Sequence, residues 1–100
     1  MSSLICINQS WYREPWLFER LGHASHGDTI VLLEEAVVAL QSPLTLGSFL
    51  AKCEARGVAV KAIIDDVQTH GVVSAYYSIE LVDYARLVEL AVQHDKQIAW

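Results

Sequence analysis

Positive charge is scarce in this chain: seven Lys and Arg stand against twelve Asp and Glu, a formal net charge of −5. The seven are scattered, so no basic patch is available to grip a phosphate backbone, and direct nucleic-acid binding is not expected. Cysteine is scarce as well. Cys6 and Cys53 fall in different elements, with no CxxC or Cys/His spacing, which argues against a zinc site or a redox pair. The longest apolar runs, Ile30 to Leu33 and Ala36 to Leu40, are separated by Glu34-Glu35 and fall far short of the roughly 20 residues a membrane span needs. No basic region followed by a long apolar stretch opens the sequence, so the cytoplasm is the expected setting. GxGxxG, GxxxxGK[ST] and GxSxG are all missing. Trp11, Tyr12 and Trp16 occupy the first strand-to-helix connection, where a phosphate binder wants glycine, so no nucleotide or flavin cofactor is expected.

What the chain has in excess is apolar character. Hydrophobic residues make up 53% of its 100 residues and charged residues only 19%. One domain spanning residues 1–100 fits that length. So few charges scarcely clothe a monomer, and part of the apolar surplus is expected to face another chain.

The organising stretch is Gly27-Asp28 followed by Thr29-Ile30-Val31-Leu32-Leu33. A turn feeding β-branched and aliphatic residues without polar alternation reads as a strand covered on both faces. Leu4 to Ile7 reads as an earlier buried strand. Between the two, Trp16, Leu17, Leu21 and Ala24 recur at helical spacing, which completes a βαβ unit. Glu34-Glu35 opens a helical pattern expected over Glu35 to Leu40, acidic residues suiting a first helical turn. Leu46 to Arg56 follows as a helix with Gly57 as its C-terminal cap. Val58 to Ile64, Ile79 to Val82 and Ile98 to Trp100 read as further strands. Asp65-Asp66 begins a short helix ending near His70-Gly71. Asp83 is the expected N-cap of the longest helix, whose Ala85, Leu87, Val88, Leu90, Ala91 and Val92 form a wide apolar stripe ending at His94. Strands and helices alternating in this way imply a three-layer α/β/α domain with a mostly parallel sheet of about five strands.

Little in the sequence carries chemistry. His23, His26, His70 and His94 lie at separate element ends without a third ligand at metal spacing, and solvated loop histidines are the favoured reading. The adjacent pairs Asp65-Asp66 and Glu34-Glu35 point in different directions on a helix, which suits dipole complementation rather than paired acid-base work. A thiol of low pKa is able to hold a persulfide. Cys6, however, lies mid-strand, and Cys53 shares a face with Leu46, Phe49 and Leu50 despite Lys52 beside it and Arg56 three residues on. Both read first as small core residues.

The C-terminal run Val82-Asp83-Tyr84-Ala85-Arg86-Leu87-Val88-Glu89-Leu90-Ala91-Val92-Gln93-His94, with Gln97-Ile98-Ala99-Trp100, resembles the end of TusB/DsrH family proteins. That family typically shows Val/Ile-Asp-Tyr, an apolar helix, a His and a terminal Ala-Trp. Gly27-Asp28 with Ile30 to Leu33 resembles its Gly-Asp strand, and Leu4 to Ser10 its opening strand, so the likeness runs through nearly the whole chain in order.

The resemblance implies a DsrE/F/H-like fold and a non-catalytic structural subunit of a cytoplasmic, TusBCD-like sulfur-relay complex. Its implied partners are homologous TusC/DsrF-like and TusD/DsrE-like subunits in a heterohexamer, with an indirect link to a TusE/DsrC-like sulfur carrier that serves 2-thiolation of the tRNA wobble uridine. Three alternatives stay open: a DsrH-type subunit of a DsrEFH complex in dissimilatory sulfur oxidation, a sulfurtransferase carrying persulfide on Cys53 or Cys6, and a stand-alone small-molecule binder of flavodoxin-like type. Some DsrH-type members carry a cysteine in the first helix, where this chain has Arg20. No cofactor, metal or catalytic residue is expected of this chain. Tyr84, directly after the N-cap, and Trp100 are the aromatic candidates for a partner interface.

Overall fold

Four consecutive buried residues, Thr29 to Leu32, form the middle strand of a five-stranded sheet. The computed structural model describes residues 2–10, 16–41, 43–72 and 79–99. Its strands are β1 (Ser3–Ile7), β2 (Thr29–Leu32), β3 (Ala59–Ile63), β4 (Glu80–Val82) and β5 (Lys96–Ala99), ordered β4-β3-β2-β1-β5. Every pairing is parallel, with Leu4 opposite Thr29, Thr29 opposite Ala59, Lys61 opposite Glu80 and Ser3 opposite Lys96. Parallel strands need crossovers, and the helices supply them: α1 (Trp16–Leu21), a 3-10 helix (Glu34–Gln41), α2 (Pro43–Arg56), α3 (Ile64–Thr69) and α4 (Tyr84–Gln93).

Alternation along the strands sorts the core into two faces. Ile5, Ile7, Ile30, Leu32 and Ala62 point to one side, where Leu21, Val37, Leu40, Leu46, Phe49 and Cys53 of the flanking helices cover them. Leu4, Val31, Ile63 and Val82 point to the other side, against Leu90 with Leu87 and Ala91 of α4. The sheet is therefore covered on both faces, as its continuous apolar strands require. Each fully buried Leu or Ile contributes about 1.5–3 kcal/mol relative to exposure.

The N-terminal edge of the sheet is tied by Asp28. Its Oδ1 accepts the Ser3 N–H at 2.9 Å and its Oδ2 the Ser25 N–H at 2.9 Å, while the Asp28 carbonyl accepts the Ala59 N–H. One buried carboxylate thus joins the starts of β1 and β2 and the turn before β2. Gly57 closes α2 at φ +72°, with Val58 N–H reaching Cys53 O and Gly57 N–H reaching Glu54 O. A side chain at Gly57 would also collide with the His26 ring.

Several expectations need adjustment. The short helix expected over Glu35 to Leu40 is a 3-10 helix running from Glu34 to Gln41. Its three-residue repeat stacks Ala36 over Ala39 and Val37 over Leu40, which places all four against the core. Helix α2 begins at Pro43, three residues before the first apolar residue used to locate it, since a helical first turn has no use for the missing proline N–H. Strand β3 stops at Ile63, and Ile64 already belongs to α3. Strand β5 starts at Lys96, two residues before its apolar part, because Asp95 and Lys96 N–H groups already bond Ser2 O.

Candidate partner-binding face

Helix α4 starts where the sequence places it. Asp83 adopts an extended conformation and its Oδ1 accepts the Arg86 N–H at 2.7 Å, a side-chain N-cap. The expected wide apolar stripe divides into two. Leu87, Leu90 and Ala91 turn inward onto Leu4, Val31 and Ile63. Ala85, Val88 and Val92 turn outward, with Val88 65% and Val92 81% exposed. Tyr84, 42% exposed, stands one turn before Val88, so Tyr84, Val88 and Val92 follow one another at four-residue intervals along an outer ridge. Helical wheels add apolar residues without saying how many sides they cover, and here a core face and a solvent face adjoin.

At its N-terminal end the ridge meets the C-terminal edge of the sheet, where β2, β3 and β4 all finish. Tyr84 Oη donates to Asp66 Oδ2 at 2.7 Å, and the same oxygen accepts the Glu34 N–H at 2.9 Å. Glu34 holds φ at +52°, in the left-handed region that a non-glycine residue rarely adopts. Asp66, expected only to complement a helix dipole, is thus the tie between the end of β2 and the start of α4. Its hydrogen bond, with burial and the charges of Asp66, Glu34 and Asp65, pushes the Tyr84 hydroxyl up to about 12. Asp65 itself is exposed. Among the cations described nearby, Arg86 donates to Glu89 at 2.9 Å, and Lys61 donates to Glu80 at 2.7 Å across β3 and β4. The Lys61 bond and charge hold the Glu80 carboxyl below the usual range.

Of the two aromatic candidates, Tyr84 lies on this ridge; Trp100 lies outside the described residues. Arg20 lies on α1 with its guanidinium 5.6 Å from the centre of the Trp16 ring. Of the two cysteines, both expected in the core, only Cys53 is placed there. Cys53 is 5% exposed and buried among Leu46, Phe49 and Val58, and burial pushes its thiol up to about 11 despite Arg56. Cys6 is half-buried on the α4 face, its thiol also raised by burial. Neither is poised as a thiolate near neutral pH. Two hollows meet at Cys53. One, of about 270 Å³, lies between α1 and α2 beside Leu21, Phe49 and Arg56. The other, of about 540 Å³, opens beside Leu50, Lys61 and Glu80.

His94 differs from the solvated loop residue expected of it. Its Nδ1 donates to Leu90 O at 2.7 Å and its Nε2 lies 2.9 Å from Thr29 Oγ1, so it locks the end of α4 to the start of β2. The hydrophobic pattern held no signal for this, because a helix-end histidine bonds across 65 residues only once the sheet has formed. Among the described residues no His, Cys, Asp or Glu cluster is suited to a metal ion, and no single helix is long and apolar enough to cross a membrane.

A family model described as DsrH like protein matches residues 9–97. The chain is 33% identical over 92 residues to Protein TusB of Cronobacter sakazakii, covering 88% of this chain and 94% of that protein. It is 30% identical over 93 residues to Protein TusB of Escherichia coli K12, covering 89% and 95%. Among solved structures, the YchN protein from E. coli aligns over 100% of both chains with a TM-score of 0.66 at 17% identity. A conserved protein of unknown function from Bacteroides thetaiotaomicron aligns over 98% of this chain and 94% of its own, with a TM-score of 0.71 at 14% identity. At such identities the two structures speak for the α/β fold alone.

Proposed function

The chain belongs to the TusB/DsrH family of sulfur-relay subunits, and from that premise we propose that it is a non-catalytic structural subunit of a heteromeric, TusBCD-like complex supporting 2-thiolation of the tRNA wobble uridine. The observation that carries the reading is the match to Protein TusB over 88% of the chain, with almost the whole of that relative covered. The partners are homologous TusC/DsrF-like and TusD/DsrE-like subunits, assembled in the cytoplasm as a heterohexamer that hands sulfur to a TusE/DsrC-like carrier. Tyr84 and Trp100 are the aromatic contacts of this chain with its neighbours.

Two features of the chain support a scaffold over a carrier. A sulfur carrier needs a thiolate that attacks sulfane sulfur and a persulfide that a second thiol can reach. Here Cys53 is 5% exposed with its thiol raised to about 11, and Cys6 is half-buried beneath α4 with its thiol raised as well. The outward valines of α4, in contrast, are what a subunit built to be covered would carry.

The test is the intact mass of the chain co-purified with the homologous subunits of its own source after exposure to a persulfide donor. The expected result is a stable hetero-assembly in which a partner gains 32 Da of sulfur, the mass of one atom, about one per site, and this chain gains none. Sulfur loading on this chain that disappears in Cys53→Ser or Cys6→Ser would replace the scaffold with a carrier.

A further inference from the structure

The outer ridge of α4 adjoins an acidic edge at its N-terminal end, where Tyr84 bonds Asp66. Val88 and Val92, 65% and 81% exposed, sit at adjacent turns, and Tyr84 extends the line by a further turn. Valine is a poor helix former, and neither outward position is packed by a described residue, so nothing among the described residues favours valine at either place. An apolar line of this kind is explained by something that covers it.

The charges around the line limit what that something is. Asp83 caps the helix, and Asp66, Asp65 and Glu34 gather where β2 and β3 end, close enough to Tyr84 for three of these carboxylates to act on its hydroxyl. The nearby described cations Arg86 and Lys61 are each engaged by a carboxylate, Glu89 and Glu80. A second copy of this chain would bring the same carboxylates to the contact, on a chain whose formal net charge is also −5. A phosphate backbone would be repelled as well. Charge complementarity instead asks for cations from outside.

We propose that the Tyr84, Val88 and Val92 ridge of α4, with the carboxylates of Glu34, Asp65, Asp66 and Asp83 at its end, is the docking surface for a partner protein presenting an apolar strip bordered by Lys and Arg side chains. The proposal rests on the relay-subunit reading and assigns the face through which this chain joins its complex. The valines supply the dry centre of the contact, and the carboxylates fix its orientation and hasten encounter.

The experiment measures binding of the full-length chain to the homologous subunits of its own source, by native mass spectrometry and by titration at low and high salt. Val88→Asp and Val92→Asp are expected to weaken binding at least about ten-fold each while circular dichroism stays that of the wild type, because a charge is then carried into the dry centre. Asp65→Lys, at an exposed position, is expected to weaken binding about ten-fold and to flatten its salt dependence. Wild-type affinity for both valine variants in a wild-type complex would overturn the ridge and leave the subunit reading standing. Tighter binding by Asp65→Lys would overturn the basic partner. Self-association of the wild-type chain, abolished by Val88→Asp, would give the face to a second copy and overturn the proposal. Failure of the wild-type chain to bind any homologous subunit would remove the subunit reading and this inference with it.

Discussion

Tyr84 donates its hydroxyl to Asp66 Oδ2 at 2.7 Å, linking the first residue of α4 to the first turn of α3. The same carboxylate oxygen accepts the Glu34 N–H, so three connections at the C-terminal edge of the sheet converge on one atom. An interface placed on this edge would inherit its geometry from Asp66, although Asp66 is not itself part of the exposed ridge.

Removing that atom is expected to cost more than removing either donor. Asp66→Ala loses two hydrogen bonds at about 1 kcal/mol each, so a destabilisation of about 2 kcal/mol is expected, with Tyr84→Phe costing about half as much. Asp66→Asn keeps an acceptor oxygen and should fall between them. Urea unfolding of the three variants checks the order. An Asp66→Ala no less stable than Tyr84→Phe would mean that the Glu34 bond contributes nothing to holding φ at +52°.

Alkaline pH reports the same contact. The Tyr84 hydroxyl is raised from its usual value near 10 to about 12, so the folded chain retains a proton that the unfolded chain releases. That contribution is complete below about pH 10 and is lost as pH rises through 12, a window of falling stability. Tyrosinate absorbance against pH should show a late-titrating component in the wild type that is missing from Tyr84→Phe. A phenol at Tyr84 that titrates near 10 would contradict the hydrogen bond to Asp66.

Cys53 offers an independent test of the core on the other face of the sheet. Burial holds its thiol near 11, and Arg56 lowers it only in part. Alkylation by iodoacetamide at about pH 8 should therefore be far slower at Cys53 in the folded chain than for a free thiol of pKa about 8.5, and should quicken as pH approaches 11. Arg56→Ala removes the opposing charge and should slow labelling further. Rapid labelling of the folded protein near neutral pH would reopen the carrier reading.

Most of the fold was legible because each strand is a short apolar run bounded by turn residues, and a strand covered on both faces needs only such a run to be recognised. The caps were legible for a similar reason: Asp83 and Gly57 act on backbone groups within a few residues of themselves. What escaped was of two kinds. Bonds that span the chain, Asp66 with Tyr84 and His94 with Thr29, leave no local pattern, since each partner has an ordinary role where it stands. The direction of an apolar residue was the other. The composition raised the expectation of apolar surface beyond one core, yet Val88 and Leu87 are neighbours of equal hydrophobic standing, and only the placement of α4 on the sheet sends one outward and one inward.

That division of α4 makes opposite signs of stability change within a single helix turn the sharpest consequence of the structure. Leu90 is 3% exposed against Leu4 and Val31, and Leu90→Ala should cost about 2–5 kcal/mol through lost contacts and a cavity. Val92, two residues on, is 81% exposed, and Val92→Ala should stabilise the isolated chain by about 0.5 kcal/mol through helix propensity alone, as should Val88→Ala. A double Val88→Ala, Val92→Ala chain is thus expected to unfold at higher urea concentration than the wild type while binding its partner subunits less tightly. Stability and assembly moving in opposite directions would separate residues kept for folding from residues kept for a neighbour. Should the double variant instead lose stability by itself, the two valines would be supporting the fold of this chain, and the ridge would have no need of a partner to explain it.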